Sequence, residues 1–126
     1  SAYGGINMRF SARKNQEISQ HTDAVGKRPR RAWAQLVGVP PEGKNPVTVA
    51  ICQHVENPHG PGDWVTYPNL NWLQPTFPSK GVKYELIKGK RLVLRFRLCI
   101  QNGKMTDEQL AKQWRDFNKP TIRASR

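Results

Sequence analysis

A chain of 126 residues is the size of one domain and leaves no room for a second core of independent stability. Its 21 lysines and arginines against 9 carboxylates give a formal net charge of +12, which attracts polyanions but specifies no fold. No stretch approaches the roughly 20 apolar residues that cross a bilayer; the most apolar run, residues 92–100, is interrupted by Arg95 and Arg97, so no membrane partner is expected.

Residues 3–10 alternate, with Ile6, Met8 and Phe10 on one face and Asn7 and Arg9 on the other, the period of a half-buried strand. The N-terminal residues show no basic region leading into an apolar run: either no signal peptide was encoded or the sequence begins after one. Residues 11–31 are polar, basic and without period, so they read as a long loop carrying His21 and the Arg28, Arg30, Arg31 cluster. Residues 32–39 are apolar on both faces apart from Gln35 and stop at Pro40 and Pro41, which predicts a buried strand. In residues 47–55 the β-branched content is high. Val47, Val49 and Ile51 share one face, and Thr48, Ala50, Cys52 and His54 share the other.

Beyond a turn-rich stretch at 57–62, residues 64–67 make a short extended piece, and residues 68–81 are again dense in turn formers. Residues 83–87 and 91–100 predict a hairpin around Lys88-Gly89-Lys90, with Leu92, Leu94, Phe96 and Leu98 directed inward to close the sandwich. Thr106 with Gln109 is a capping box, and Leu110, Trp114 and Phe117 fall on one helical face, so a short helix should dock on the sheet and end before Pro120. Six or so strands with turn signals between them predict an all-β fold, a compact β-sandwich or jelly roll with one short C-terminal α-helix. Residues 1–120 form the single domain, and 121–126 a mobile basic tail.

Cys52 and Cys99 lie within apolar segments, where a free buried thiol is the commoner outcome; they can pair only if their strands adjoin. There is no CxxC, which sets aside thiolate zinc and thioredoxin-like chemistry, and no GxSxG, Walker loop, HExxH or GxGxxG. Chemistry must then come from the three histidines. His54 and His59 lie five residues apart across a strand end and a turn, with His21 elsewhere. Three imidazoles, or two with an oxygen from Gln53 or Glu56, suit copper first and zinc second, because nitrogen and oxygen donors without thiolate bind copper most tightly among the first-row divalent ions. The plainer alternative leaves these histidines on the surface or in caps.

Trp64, Tyr67 and Trp72 are interleaved with Asn69 and Asn71, a mixture suited to stacking on sugar rings and bonding their hydroxyls, unless one or two of the rings merely cap the sandwich. The basic residues are scattered with no recognisable nucleic-acid motif, so a solvated surface is expected and nucleic-acid binding is not.

Taken in order, residues 4–10 (Gly-Gly-Ile-Asn-Met-Arg-Phe), His54-Val55-Glu56-Asn57-Pro58 with Trp64, residues 91–102 and the closing helix around Trp114 resemble the C-terminal portion of the bacterial PmoA-like, so-called methane oxygenase, family. That family is similar to β-sandwiches of the galactose-mutarotase type and is common in bacteria that degrade polysaccharides. His54, Asn57 and Trp64 match the family pattern. The resemblance spans nearly the whole chain but only the last part of a usual member, and a sandwich without its other half must cover an edge, which implies a homodimer. A secreted or periplasmic setting is expected. Mutarotase-like catalysis is not implied, because residues 69–78 contain no carboxylate. The combined expectation is a copper-dependent protein that oxidatively cleaves a plant polysaccharide such as cellulose, with His21, His54, His59 and Gln53 around the metal and Trp64, Tyr67, Trp72, Asn69 and Asn71 holding the chain. The alternative is a noncatalytic carbohydrate-binding module with the same aromatic platform.

Overall fold

The structure, a computed structural model of the chain, describes residues 5–9, 17–21, 32–41, 43–67, 71–79 and 81–120, with the backbone alone for 17–21, 66 and 67. Its described elements are β1 (Met8–Arg9), β2 (Glu17–His21), β3 (Trp33–Gly38), β4 (Val47–Gln53), β5 (Trp64–Tyr67), β6 (Trp72–Pro75), β7 (Phe96–Asn102) and α1 (Asp107–Asn118). They make a β-sandwich of two antiparallel sheets, ordered β2-β3-β4-β7 and β1-β6-β5, with the helix on the outer side of the larger sheet.

Two central strands explain this three-layer build. Every residue of β3 is buried, and so is every residue of β4 after Val47, because each strand is covered on both faces. Alternation sends Ala34, Leu36 and Ile51 toward the smaller sheet, where they meet Leu73 and the flanking Ile6, Met8, Trp64 and Phe96. Trp33, Ala50 and Cys52 take the opposite face and pack with Met105, Leu110, Ala111, Trp114 and Phe117 of the helical layer. The Trp33 and Trp114 rings lie 5.3 Å apart at 41°. The expected capping box is present: Thr106 accepts from the Gln109 amide at 3.2 Å, and Gln109 accepts from the Thr106 amide at 2.9 Å. Asn118 then receives the Val55 N–H at 2.8 Å, fixing the end of the helix to the end of β4.

Four expectations change. The stretch 11–31 contains a strand, β2, whose polar sequence Glu-Ile-Ser-Gln-His hides it from periodicity; it is placed at the end of the larger sheet by its ladder to β3. The stretch 68–81 contains β6, the middle strand of the smaller sheet. Pro75 is tolerated there because β1 pairs only with Trp72 and Leu73, so its missing N–H removes no rung on that side. Of the strand expected at 3–10, only Met8 and Arg9 pair among the described residues.

The hairpin at 83–100 is the largest departure. Ile87 accepts from Lys90 at 3.0 Å, and Gly89 has φ 82°, which makes the tip a type II turn with glycine at its third position. Such a turn splays its flanking strands, since its twist opposes theirs. The two limbs accordingly form no ladder with each other, and the paired strand begins only at Phe96. Leu98 and Ile100, on the face of β7 that looks toward the smaller sheet, are 47% and 72% exposed, so the sandwich stays open at this end.

Three buried carboxamides replace rungs that the sheets do not supply. Gln35 donates to the Met105 carbonyl at 3.0 Å and accepts from the Met105 amide at 3.2 Å, tying β3 to the start of the helical layer. Gln53 makes the same two-way bond with Gly62, at 3.1 and 2.9 Å, and Asn57 makes it with Arg95, at 2.9 and 2.7 Å. Each amide satisfies one backbone donor and one acceptor that lie beyond the reach of a neighbouring strand.

Candidate functional site

The stretch from Gln53 to Gly62 turns the chain from the larger sheet to the smaller one. Asn57, Pro58, His59 and Gly60 form a turn closed by the Gly60 N–H on the Asn57 carbonyl at 3.0 Å, with His59 at φ 56°. That left-handed position costs a residue with a Cβ about 1–2 kcal/mol relative to ordinary helix geometry. The Asn57 and Gln53 clamps hold the turn in place despite this strain. Gly62 approaches so closely that a Cβ there would run into the Thr76 carbonyl oxygen.

A small open cleft lies beside the turn, lined by Gln53, Asn57, His59, Thr76, Phe77 and Phe96 among others. Both amides in this lining are committed to backbone groups. His59 stands edge-on to Tyr84 at 5.9 Å, and Tyr84 in turn meets Phe77 at 4.9 Å. His59 is the single ionisable side chain in the lining, so the cleft offers hydrogen bonds and aromatic edges, not a paired acid and base.

The expected metal set is distributed as follows. His54 faces the helical layer, where it lies edge-on to Phe117 at 4.9 Å and its Nδ1 accepts the Glu56 N–H at 3.2 Å. His59 faces Tyr84, and Gln53 holds Gly62 from the opposite face of β4. His21 is in register with Trp33 on β3, and its side chain lies outside the described residues. Among the described residues, no group of three His, Cys, Asp or Glu side chains stands close enough to hold one ion.

The expected sugar platform divides between two faces. Trp64 turns inward and packs with Leu73 in the core. Trp72 takes the outer face of the smaller sheet; its Nε1 donates to Gln74 at 3.0 Å, and the Arg9 guanidinium lies 5.9 Å from its ring. Tyr67 is the register partner of Trp72, Asn71 is buried at the start of β6, and Asn69 lies outside the described residues.

Residues 1–115 match a family described as a family of unknown function (DUF6807). The chain belongs to that family. No curated protein and no solved structure matches it.

In this DUF6807 chain a further cluster sits under the helix, where the strands of the two cysteines adjoin. Cys52 and Cys99 are free thiols on the helix-facing side of β4 and β7. The Cys52 thiol bonds to the Cys99 sulfur, which pushes Cys52 far above the ordinary thiol range and lowers Cys99 to about 7. Burial opposes the fall at Cys99, and the Arg97 charge assists it. Gln113 Oε1, 3.6 Å from the Cys99 sulfur, accepts from the thiol when it is protonated. Iodoacetamide should therefore label Cys99 ahead of Cys52, at a rate that rises with pH and is half-maximal near 7, because the thiolate is the nucleophile. A rate that climbs only through the range of an unperturbed thiol, near pH 8.5, would contradict this arrangement.

Proposed function

We propose that this chain is a carbohydrate-binding β-sandwich that lays the outer face of its smaller sheet against a polysaccharide. The observation that carries the reading is the grouping of Trp72, Gln74 and Arg9 on two adjacent strands, with Tyr67 in register beside Trp72. A half-buried indole, held by its bond to the buried Gln74, offers the apolar faces of sugar rings a stacking surface, and the exposed Arg9 guanidinium supplies bonds to hydroxyls. A flat sheet face suits an extended polymer better than the small cleft beside His59 does. The resemblance to PmoA-like proteins and galactose-mutarotase sandwiches of polysaccharide-degrading bacteria supports the same substrate class. Binding here rests on the face of the sheet alone and assigns no catalytic step to the chain.

Affinity electrophoresis and pull-down on a panel of insoluble and soluble plant polysaccharides test the reading. The chain should be retarded by at least one of them. Trp72→Ala should weaken that retention about tenfold, equivalent to about 1.4 kcal/mol, with the melting temperature nearly unchanged because the ring faces outward. Trp64→Ala, in contrast, should lower the melting temperature. Retention by no polysaccharide, or equal retention of Trp72→Ala, would overturn the proposal.

A further inference from the structure

Residues 81–95 leave the body of the protein as a two-limbed arm. Among the described residues, its only backbone-to-backbone bonds are Val82 to Ser79 at its root, Lys90 to Ile87 at its tip, and His54 to Arg95 where it rejoins the sheet. The amides and carbonyls between those points are extended and unpaired within the described structure. Its outward side chains are open as well: Leu86 is 66% exposed, and Ile87 and Val93 are about half exposed, while Tyr84 rests against His59 and Phe77 and Leu94 lines the cleft. The returning limb runs without interruption into β7, the end strand of the larger sheet, giving a single extended run over 91–102.

The orientation of that run follows from its root. Arg95 directs its N–H and C=O toward the β4 side, to Asn57 and His54. Because successive residues of a strand point their backbone groups to opposite edges, those of Phe96, Leu98 and Ile100 point to the edge that no described strand occupies. The side chains of Leu98 and Ile100 lie on the uncovered face beside that edge. A long, open, apolar edge is the feature that proteins normally block with short strands, bulges or inward charges. Here it is continued by an arm instead.

Charge identifies what fits. The arm carries Lys83, Lys88, Lys90, Arg91 and Arg95 against Glu85 alone. Glu56 neutralises Arg95 at 2.9 Å, which leaves the other four basic side chains without a carboxylate among the described ion pairs. A second copy would bring a +12 chain against another and set these bases near one another across the new pairing, which is unfavourable. Nucleic acid would answer the charge but not the row of backbone donors and acceptors, nor the apolar side chains between them.

We propose that the arm and the open edge of β7 form a docking strand for an extended acidic segment of a partner protein, which adds to the larger sheet as a further strand. Main-chain bonds to Phe96, Leu98 and Ile100 set the register, Leu98 and Ile100 contact alternate apolar side chains of the partner, and the lysines and Arg91 select for carboxylates between them. The site lies on the opposite sheet from the proposed sugar face, so the two readings stand or fall separately.

The test uses the whole chain with three octapeptides: alternating Glu-Val, alternating Lys-Val, and Glu-Val N-methylated at each valine. In fluorescence anisotropy the Glu-Val peptide should bind at least about tenfold more tightly than either of the others, and less tightly as salt rises. Deuterium exchange at Phe96, Leu98 and Ile100 should slow when it binds. Charge reversal of the exposed Lys88, Lys90 and Arg91 to Glu should abolish binding at an unchanged melting temperature. Leu98→Pro, which removes an edge N–H while sparing the β4 ladder, should do the same. Equal binding of the N-methylated peptide overturns the proposal. So does a single-stranded oligonucleotide that binds as tightly with no change in edge exchange, since that describes a polyanion surface. A dimer by light scattering, with those three amides already protected before peptide is added, would assign the edge to a second copy and likewise overturn it.

Discussion

Leu73→Ala is expected to destabilise the protein by about 2–5 kcal/mol, the range for deleting a fully buried leucine side chain. Among the described residues, Leu73 is the one fully buried side chain of the smaller sheet in the inner core cluster with Ala34, Leu36 and Ile51. It sits on β6, the strand that pairs with both β1 and β5, so its side chain docks the middle of the smaller sheet on the larger one, flanked by Met8 of β1 and Trp64 of β5. Truncation leaves a cavity between Leu36, Ile51, Met8 and Trp64, and these neighbours are held by two ladders and cannot readily collapse into it. Urea unfolding monitored by tryptophan fluorescence measures the loss. Ile100→Ala is the control: that side chain is mostly exposed, and a surface truncation stays within about 0.5 kcal/mol. A loss at Leu73 no larger than the control's would mean that the smaller sheet does not anchor through this residue.

The parts of this fold that can be read from the sequence are those whose pattern and burial agree. β3 and β4 are apolar on both faces because both faces are covered, and α1 announces itself through a capping box and an apolar stripe that do pack on Trp33. β2 and β6 cannot be read this way. The Glu-Ile-Ser-Gln-His sequence of β2 has no apolar alternation, and Trp-Leu-Gln-Pro in β6 is too short to show a period and ends in a residue associated with turns. Both are strands because a neighbour supplies the ladder, which is information held in another part of the chain. The hairpin at 83–100 fails for the opposite reason. Its alternation is clear, but the glycine at the third position of its turn favours a geometry that parts the limbs.

The candidate site shows the same division. Sequence spacing places Trp64 and Trp72 in one platform, whereas the register of β5 and β6 puts Trp64 with Pro75 and Trp72 with Tyr67, on opposite faces. One signal for the clamps was available: Gln35 is the lone polar residue in an otherwise apolar strand, and a buried amide must find partners. Nothing local indicates that its partner is Met105, seventy positions away.

Gln53→Met should cost on the order of 3 kcal/mol, since it keeps the volume of the side chain but leaves a buried backbone N–H and C=O unmatched, each worth about 1–3 kcal/mol. Those groups belong to Gly62, which is buried, approaches the Thr76 backbone too closely to admit a Cβ, and has no room to turn toward solvent. Gln53→Glu separates the lost donor from the lost shape. At neutral pH its carboxylate still accepts from the Gly62 N–H but faces the Gly62 carbonyl with a negative charge. When protonated it donates to that carbonyl and restores the two-way bond. Burial and the carbonyl both raise the carboxyl pKa in the folded state above the unfolded value of about 4.3, so the folded form binds the extra proton. Stability of this variant therefore falls as pH rises from 4.3 through the folded pKa, and recovers toward that of the parent in acid. Melting temperatures of Gln53→Glu and the parent chain should converge on acidification from pH 7.5 to 4.5, while Gln53→Met remains low at both. If Gln53→Met is as stable as the parent, or if Gln53→Glu shows no such convergence, the Gly62 clamp does not hold the turn, and the strained position of His59 must be maintained by other contacts.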